Sequence, residues 1–518
     1  MGQRELEIKL EVGSDILDRV RRKPVFAAMA AVKPSQTSLR SIYYDTPDYS
    51  LRNQRASLRL RAKGGGWLQT FKSGTGVVNG VSNPIETEVE VGGPSLELDR
   101  IGDAEQKEWF AKLVDAKPLD PVFETLIDRT IWLLDCDGEA VIELAMDDGT
   151  VEASGESEDI SEIELELKSG PSRALLEATE KLFDGEPVDL ATMSKAQRGY
   201  ALLQKNKPDT ASARPVNADK PALSTEMTPV DAIKILGRSA ANQILGNWAL
   251  LGGSEDSEVP HQLRVGLRRL RTTLKLFSSL GDNAALERLS DEARELGRIV
   301  GAARDADVLI EDIVTPVMAR DSADSRFQTL LLVLEQERAT RRQAVREALA
   351  EGRWTWFKLN CTLFEQAVER ALDTGLSADA NADVAVFSAR ELDKAWKHVR
   401  KRGKGFDRQK VSERHAMRKS LKTLRYACDF LSPLFPQKEA AKFGKRLKKL
   451  QDIFGYLNDV AMAEELETFV AERYPDRDDL QESVAAIRKW HRKQAKAADK
   501  KAGKRWRSLR ESPKFWAV

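Results

Sequence analysis

The chain has 518 residues, enough for two or more domains, and its composition is that of an ordinary globular protein. It has no apolar run of about 18 residues and no basic segment followed by an apolar stretch at its start, so neither a transmembrane helix nor a signal peptide is predicted. The formal net charge of zero hides a division: residues 1–205 carry about 25 Lys and Arg against about 37 Asp and Glu, and the remainder about 57 against 45.

The first 205 residues read as strand-rich. "ELEIKLEV" places Glu5, Glu7, Lys9 and Glu11 on one side of a strand and Leu6, Ile8, Leu10 and Val12 on the other. Further strands are predicted at "TSLRSIYYD", "ASLRLRAK", "GWLQTFK", "PIETEVEV", "VFETLIDRTIWLL", "EAVIELAMD" and "ISEIELELK". Turn chemistry ("KGGG", "SGTG", "DCDGE", "DDG") separates several of them. Eight strands suit a closed barrel or a strongly curved sheet. Helices are predicted at about 14–30, 103–114, 171–184 and 190–205. Residues 204–229 are rich in Pro, Ala, Ser and Thr and read as a flexible linker. From about 230 the apolar spacing is helical almost throughout.

The helical half contains a repeat. "HQLRVGLRRLRTTLKLF" begins at His261 and "HAMRKSLKTLRYACDFL" at His415. Each is followed by a second matching piece, "LGRIVGAARDADV" and "LQDIFGYLNDVAM", so that Gly301 and Gly455 both lie 40 positions after their histidine (301 − 261 and 455 − 415). Two repeated four-helix units are inferred, with Asp305 and Asp459 in equivalent positions. His261, Arg264, Arg268 and Arg271 step along one helix face, and His415, Arg418, Lys422 and Arg425 repeat the step. Such a row is either a solvated basic face or a binding surface for a polyanion. No aromatic side chains interleave, so base stacking is not indicated and nucleic acid is not an expected partner. Asp305 and Asp459 suit internal pairing with these cations.

The charged strand faces leave two readings open. One is a barrel with an apolar core and a solvated exterior. The other is a charged interior, whose cations grip phosphates and whose carboxylates hold divalent metal. Here the pieces resemble a family. "ELEIK", "LRLR", "TFK", "PIETE", "FETLIDR", "AMDDG", "SEIELELKSG" and "SKAQRGYALL" stand in the order found in the CYTH superfamily, the triphosphate tunnel metalloenzymes. The two His-x-x-Arg helices with "RDADV" and "LNDV" resemble the CHAD family.

The resemblance implies an α+β chain: an eight-stranded antiparallel β tunnel with flanking helices over 1–205, a linker at 206–227 and an all-α polyphosphate-binding domain at 228–510. It implies hydrolysis of inorganic triphosphate with Mg2+ or Mn2+. Glu5, Glu7, Lys9, Lys72, Arg129 and Lys195 would be catalytic. Lys9, Arg59, Arg61, Lys72, Arg129, Lys195 and Arg198 would bind phosphate, although Arg198 also reads as an outward salt-bridging residue. Glu5, Glu7, Glu86, Glu88, Asp147, Glu162, Glu164 and Glu166 would serve metal. The segment "SNPIETE" lacks a basic residue that several relatives carry there, which weakens the match at Glu86 and Glu88. His261, Arg264, Arg268, Arg271, His415, Arg418, Lys422 and Arg425 would bind inorganic polyphosphate. Class IV-type adenylate cyclisation, thiamine or nucleoside triphosphate hydrolysis and a non-catalytic polyphosphate-binding scaffold are the alternatives. No membrane partner is expected. Cys136, Cys361 and Cys428 lack metal-ligand spacing and suit a reducing cytoplasm, with polyphosphate granules a possible address implied by the second resemblance.

Overall fold

The computed structural model describes residues 3–4, 6–13, 15–30, 32–74, 76–204, 214–281, 284–320, 325–373, 375–409 and 411–517. Glu5 therefore lies outside the described residues, as do the side chains of 458–459, which include Asp459. The chain divides into two compact units: Met1–Ser212 with Gly352–Arg370, and Ala213–Glu351 with Ala371–Val518.

The first unit is built on one antiparallel sheet. Its strands are β1 (Gln3–Arg4), β2 (Glu7–Glu11), β3 (Ser35–Asp45), β4 (Ala56–Lys63), β5 (Gly66–Ser73), β6 (Val81–Ser82), β7 (Ile85–Val91), β8 (Asp120–Cys136), β9 (Ala140–Ala153), β10 (Glu156–Ser169) and β11 (Asp189–Leu190). They pair in the order β1-β7-β5-β4-β3-β8-β9-β10-β2-β11, with β6 also on β2. The first stretch of chain reaches both sides of this series, because Gln3 pairs with Glu86 while Lys9 pairs with Glu164. The sheet is thereby curled on itself. Of the predicted helices, the first is split into Ile16–Arg21 and Pro24–Met29, since Pro24 cannot donate to a preceding turn. The stretch expected as helix from 190 begins instead with β11, and the helix itself is Lys195–Gln204.

Period-two alternation explains the layers. Ile8, Leu10, Leu144, Ile163 and Leu165 point away from the inner face and pack with Leu175, Leu176, Leu182 and Phe183 of the helix Ser172–Phe183. Each such buried aliphatic side chain contributes about 1.5–3 kcal/mol relative to exposure. The alternate residues on the same strands are the charged ones. Leu359 of helix Thr355–Thr362, Ala367 of helix Phe364–Asp373 and Leu363 between them join this same apolar cluster. The segment Gly352–Arg370, read from sequence as part of the helical half, thus belongs to the sheet-containing unit.

The second unit is all helical. Helix Pro229–Leu251 starts with a capping box in which Thr228 and Asp231 satisfy each other's backbone donors. It packs on Glu258–Leu276, which packs on Ala284–Val308. Val384–Arg402, Val411–Leu431, Gln437–Arg473 and Asp478–Arg510 pack in succession, and Glu258–Leu276 meets Val411–Leu431. These last two helices carry the repeated His-x-x-Arg motif. Of the stretch expected as a linker, residues 205–213 lie outside the described residues; beyond them Val216 exchanges two hydrogen bonds with the buried Asn247 amide, at 3.1 and 2.8 Å. Leu223 is also buried. Among the described residues no helix is long and apolar enough to cross a membrane. All three cysteines are free thiols.

Candidate active site

The inner face of the sheet encloses a cavity of about 300 Å³. β4 and β5 supply Arg59, Arg61 and Lys72, β7 supplies Glu86 and Glu88, and β8 supplies Arg129. β2 contributes Glu7 and Lys9, β10 contributes Glu164 and Glu166, and the last helix before residue 205 begins with Lys195. Strand register makes these neighbours. Lys72 is opposite Glu86, Arg129 opposite Asp147, Glu162 opposite Asp147, and Glu166 opposite Glu7.

Along one wall lies a buried charge cluster. The Lys195 ammonium sits 2.6 Å from Asp147 and 3.0 Å from Glu164, and also pairs with Glu162. Arg129 donates to both oxygens of Asp147, at 2.6 and 2.5 Å, and to Glu164 at 2.6 Å. Lys9 pairs with Glu164 and lies 3.2 Å from Glu7. Burial alone would push the Glu164 carboxyl up, but Lys195, Lys9 and Arg129 outweigh it and hold the group well below the carboxylate range. For Glu162 burial wins over Lys195, and the carboxyl is raised. Burial opposes the Lys9 and Lys195 charges too, yet the surrounding carboxylates raise both ammonium groups.

The β4 side is different. Arg61 donates to the Ser41 hydroxyl at 3.0 Å and pairs with no carboxylate among the described residues. Burial, followed by repulsion from Arg59, brings its guanidinium down to about 10. Arg59 reaches Tyr43 at 3.5 Å and Glu86 at 3.8 Å, while its buried Nε has no hydrogen-bond partner. Burial opposes the Arg59 charge too, but Tyr43, Glu86 and Glu88 outweigh it and raise that guanidinium, so the charge the protein leaves least offset on this wall is that of Arg61.

The structure brings Glu7, Lys9, Arg59, Arg61, Lys72, Glu86, Glu88, Arg129, Glu164, Glu166 and Lys195 to the cavity lining. Asp147 and Glu162 stand behind it, with carboxylate oxygens that lie with one of Glu164 within 4.8 Å of one another. Arg198 does not line the cavity; it pairs with Glu11 at 2.6 Å and Glu158 at 2.7 Å, the salt-bridging role. Sequence reasoning passed over Tyr43, Glu143 and Lys168 as site residues, although all three line the cavity. Glu143 stands two and four positions before Ala145 and Asp147 on β9, and Lys168 two positions after Glu166 on β10, so each shares the face of a residue proposed for the site. Tyr43 stacks on Phe123 at 4.5 Å, and nothing in "SIYYD" separates it from core tyrosines.

In the second unit His261, Arg268, Lys422 and Arg425 line one cavity of about 760 Å³, together with Arg269, Gln262 and Gln451. Arg264 and Arg271 do not line it, nor do His415 and Arg418. Arg264 instead pairs with Asp305 at 3.0 Å, as the sequence suggested for that aspartate. Burial, then Arg304, lowers the His261 pKa.

A curled antiparallel sheet with ion-paired charge on its inner face, followed by an all-helical unit, defines a two-domain class. The family models identify its members: the chain carries a CYTH domain at residues 3–200 and a CHAD domain at residues 236–468. An inorganic triphosphatase of Haemophilus influenzae is 30% identical over 202 residues, 39% of this chain and 55% of the relative. The match thus spans about half the length of that relative. An uncharacterized protein of Mycobacterium tuberculosis is 27% identical over 439 residues, covering 77% of each chain. Among solved structures, the CHAD domain from the plant Ricinus communis aligns with a TM-score of 0.50 at 26% identity, over 58% of this chain and 99% of that one.

Proposed function

We propose that the first unit hydrolyses inorganic triphosphate to diphosphate and phosphate with Mg2+ or Mn2+, and that the helical unit binds inorganic polyphosphate. The observation that carries the reading is the Arg59–Arg61 wall, where Arg61 pairs with no carboxylate among the described residues and the buried Arg59 Nε has no partner, facing carboxylates across one cavity. A multiply charged anion is what such a wall lacks. The CYTH domain and the triphosphatase relative support the same reaction class.

The acidic residues fit a hard divalent cation. Their donors are carboxylate oxygens, and the buried Oε2 of Glu162 has no hydrogen-bond partner. Glu7, Glu86, Glu88, Glu164 and Glu166 would hold the cation from the lining, with Asp147 and Glu162 behind and Glu5 as a further ligand. When bound, the cation offsets phosphate charge and orients the attacking water. Arg59, Arg61 and Lys72 hold phosphate oxygens. Lys9, Arg129 and Lys195 stabilise charge that moves onto the leaving diphosphate. Water oxygen bonds to the terminal phosphorus in line as the anhydride P–O bond breaks. Tyr43 is the aromatic side chain among the described lining residues, and it is buried with its ring stacked on Phe123, so the described lining offers no exposed ring to a nucleobase.

Phosphate release from triphosphate, ATP and thiamine triphosphate, with either metal or with EDTA, tests the reading. Triphosphate should be cleaved preferentially and EDTA should abolish turnover. Preferred cleavage of ATP, or its conversion to cyclic AMP, would overturn the substrate assignment; EDTA-resistant turnover would overturn the metal.

A further inference from the structure

Lys9 is fixed by its backbone as well as by its ion pairs. Its N–H donates to the Gly80 carbonyl at 2.6 Å, and its own carbonyl accepts from Ala191 N–H at 3.0 Å. Gly80 N–H closes the ring by donating to the Ala191 carbonyl at 2.9 Å. Gly80 has a φ of +77°, and a Cβ there would stand 2.9 Å from the Lys9 carbonyl oxygen. No other residue type fits that closure without strain. The placement of Lys9 therefore depends on where the chain at 188–191 lies.

That stretch is short. β11 has two residues, with one ladder to β2, and cannot hold its own position. Residues 352–370 support it. Helix Thr355–Thr362 packs on β11, and the Thr355 hydroxyl donates to the Val188 carbonyl at 2.8 Å. Leu359 and Leu363 enter the apolar cluster that contains Ile8, Leu10 and Leu190. On the other flank, Asn360 and Arg370 each donate to Glu180 at 2.6 Å, and Arg370 also donates to Asn360 at 3.2 Å. Glu180 belongs to the helix Ser172–Phe183, which packs on β2.

We infer that residues 352–370 are a positioning element of the triphosphate site, with Thr355, Asn360 and Arg370 holding β11 and β2 so that Lys9 meets Glu164. The inference rests on the proposed hydrolysis for its kinetic arm only. These residues touch no reacting atom; they act through Val188, Ala191 and Glu180. Their sequence position, 162 residues after the last strand (352 − 190), places them in the helical half of the chain, which makes the site depend on a segment far from its other parts.

Four full-length variants test it: Thr355→Val, Thr355→Ser, the pair Asn360→Ala/Arg370→Ala, and Val114→Ala. The last opens space in a separate cluster around Leu51, Leu58 and Phe71, which contains no residue of β2 or β11, and serves as a control for a core cavity that leaves the support of Lys9 in place. Thr355→Val should lower kcat/KM for triphosphate about tenfold, the scale expected when a catalytic group is slightly misplaced. Thr355→Ser, which keeps the hydroxyl, should stay within about twofold of the parent, and the double variant should match Thr355→Val. Hydrogen exchange at the Lys9 and Ala191 amides should quicken in Thr355→Val while Arg59 and Arg61 stay protected. Unchanged exchange at Lys9 and Ala191, or kcat/KM equal to that of Val114→Ala, overturns the inference. If the parent itself releases no phosphate, the functional proposal fails and the exchange comparison alone decides the positioning role.

Discussion

Replacing Lys195 with Met removes one charge and keeps much of the side chain's bulk. In the native protein this ammonium lies within 3.0 Å of both Asp147 and Glu164 and pairs with Glu162. Removing one partner of a buried ion pair costs about 3–5 kcal/mol, since the other charge stays behind without its counterion. For a unit of roughly two hundred residues 1 kcal/mol moves Tm by about 2–4 °C, so a fall of about 6–20 °C is expected. The pH dependence has a definite sign. Burial works against the charges of Glu164 and Asp147, but Lys195 and the other cations hold both carboxyls below their ordinary values. The stability they confer is present above the unfolded carboxyl range and is lost as pH falls through the lowered native values. Without Lys195, Glu164 and Asp147 lose their largest cationic support, Glu162, already raised by burial, rises further, and the variant gains stability as Glu162 protonates. The gap between parent and variant should therefore narrow from pH 7.5 toward pH 5. Millimolar Mg2+ or Mn2+ should restore part of the loss by binding the freed carboxylates in the folded state. Thermal melting of both full-length proteins at several pH values, with and without metal, measures all three effects. A Tm within about 2 °C of the parent, or a gap independent of pH, would refute the charge cluster.

Glu7→Gln should leave the protein folded and lower triphosphate turnover at least about a hundredfold, as measured by phosphate release at saturating metal. Gly80→Ala should cost about 1–2 kcal/mol from its left-handed backbone alone, more from the clash with Lys9 and Leu190, and denaturant midpoints will register it. Arg268→Ala with Arg425→Ala should weaken binding of long polyphosphate to the full chain by at least about tenfold and flatten its salt dependence, while Arg264→Ala, already paired with Asp305, should weaken it less. Because burial and Arg304 lower the His261 pKa, any gain in polyphosphate affinity from that histidine should appear as pH falls below about 6.5, and fluorescence titration of His261→Gln should lack it.

Much of the site was legible because strands report their faces every second residue. Glu7 and Lys9, Arg59 and Arg61, and Glu164 and Glu166 fall on one face by counting alone, and all six line one cavity. Alternation cannot say which residue pairs with which. Lys195 stands on a helix, and nothing in "SKAQRGYALL" foretells that its ammonium faces three carboxylates from two strands. The basic helices show the same limit. A step of three and four residues puts His261, Arg264, Arg268 and Arg271 on a broad face, but His261 and Arg268 line a cavity while Arg264 turns to Asp305. A helical period likewise marks Leu359 and Leu363 as buried without saying what buries them. The stretch 214–223 was the least legible: one valine bonded to a buried asparagine leaves no period to detect.

Because Gly352–Arg370 belongs to the first unit, the chain passes between its two units three times, near residues 212, 351 and 370. The modules are interlaced along the chain and not strung end to end. A single protease cut between 204 and 214 would leave an N-terminal fragment still held by Leu359, Leu363, Asn360 and Arg370, so the two pieces should copurify until denaturant parts them. The same interlacing constrains inheritance. A gene fusion or truncation that keeps only the first 205 codons strips apolar side chains from the CYTH core, and one that transplants the helical half carries a stretch of someone else's sheet support with it. Exchange of either module intact requires splicing at all three crossings at once.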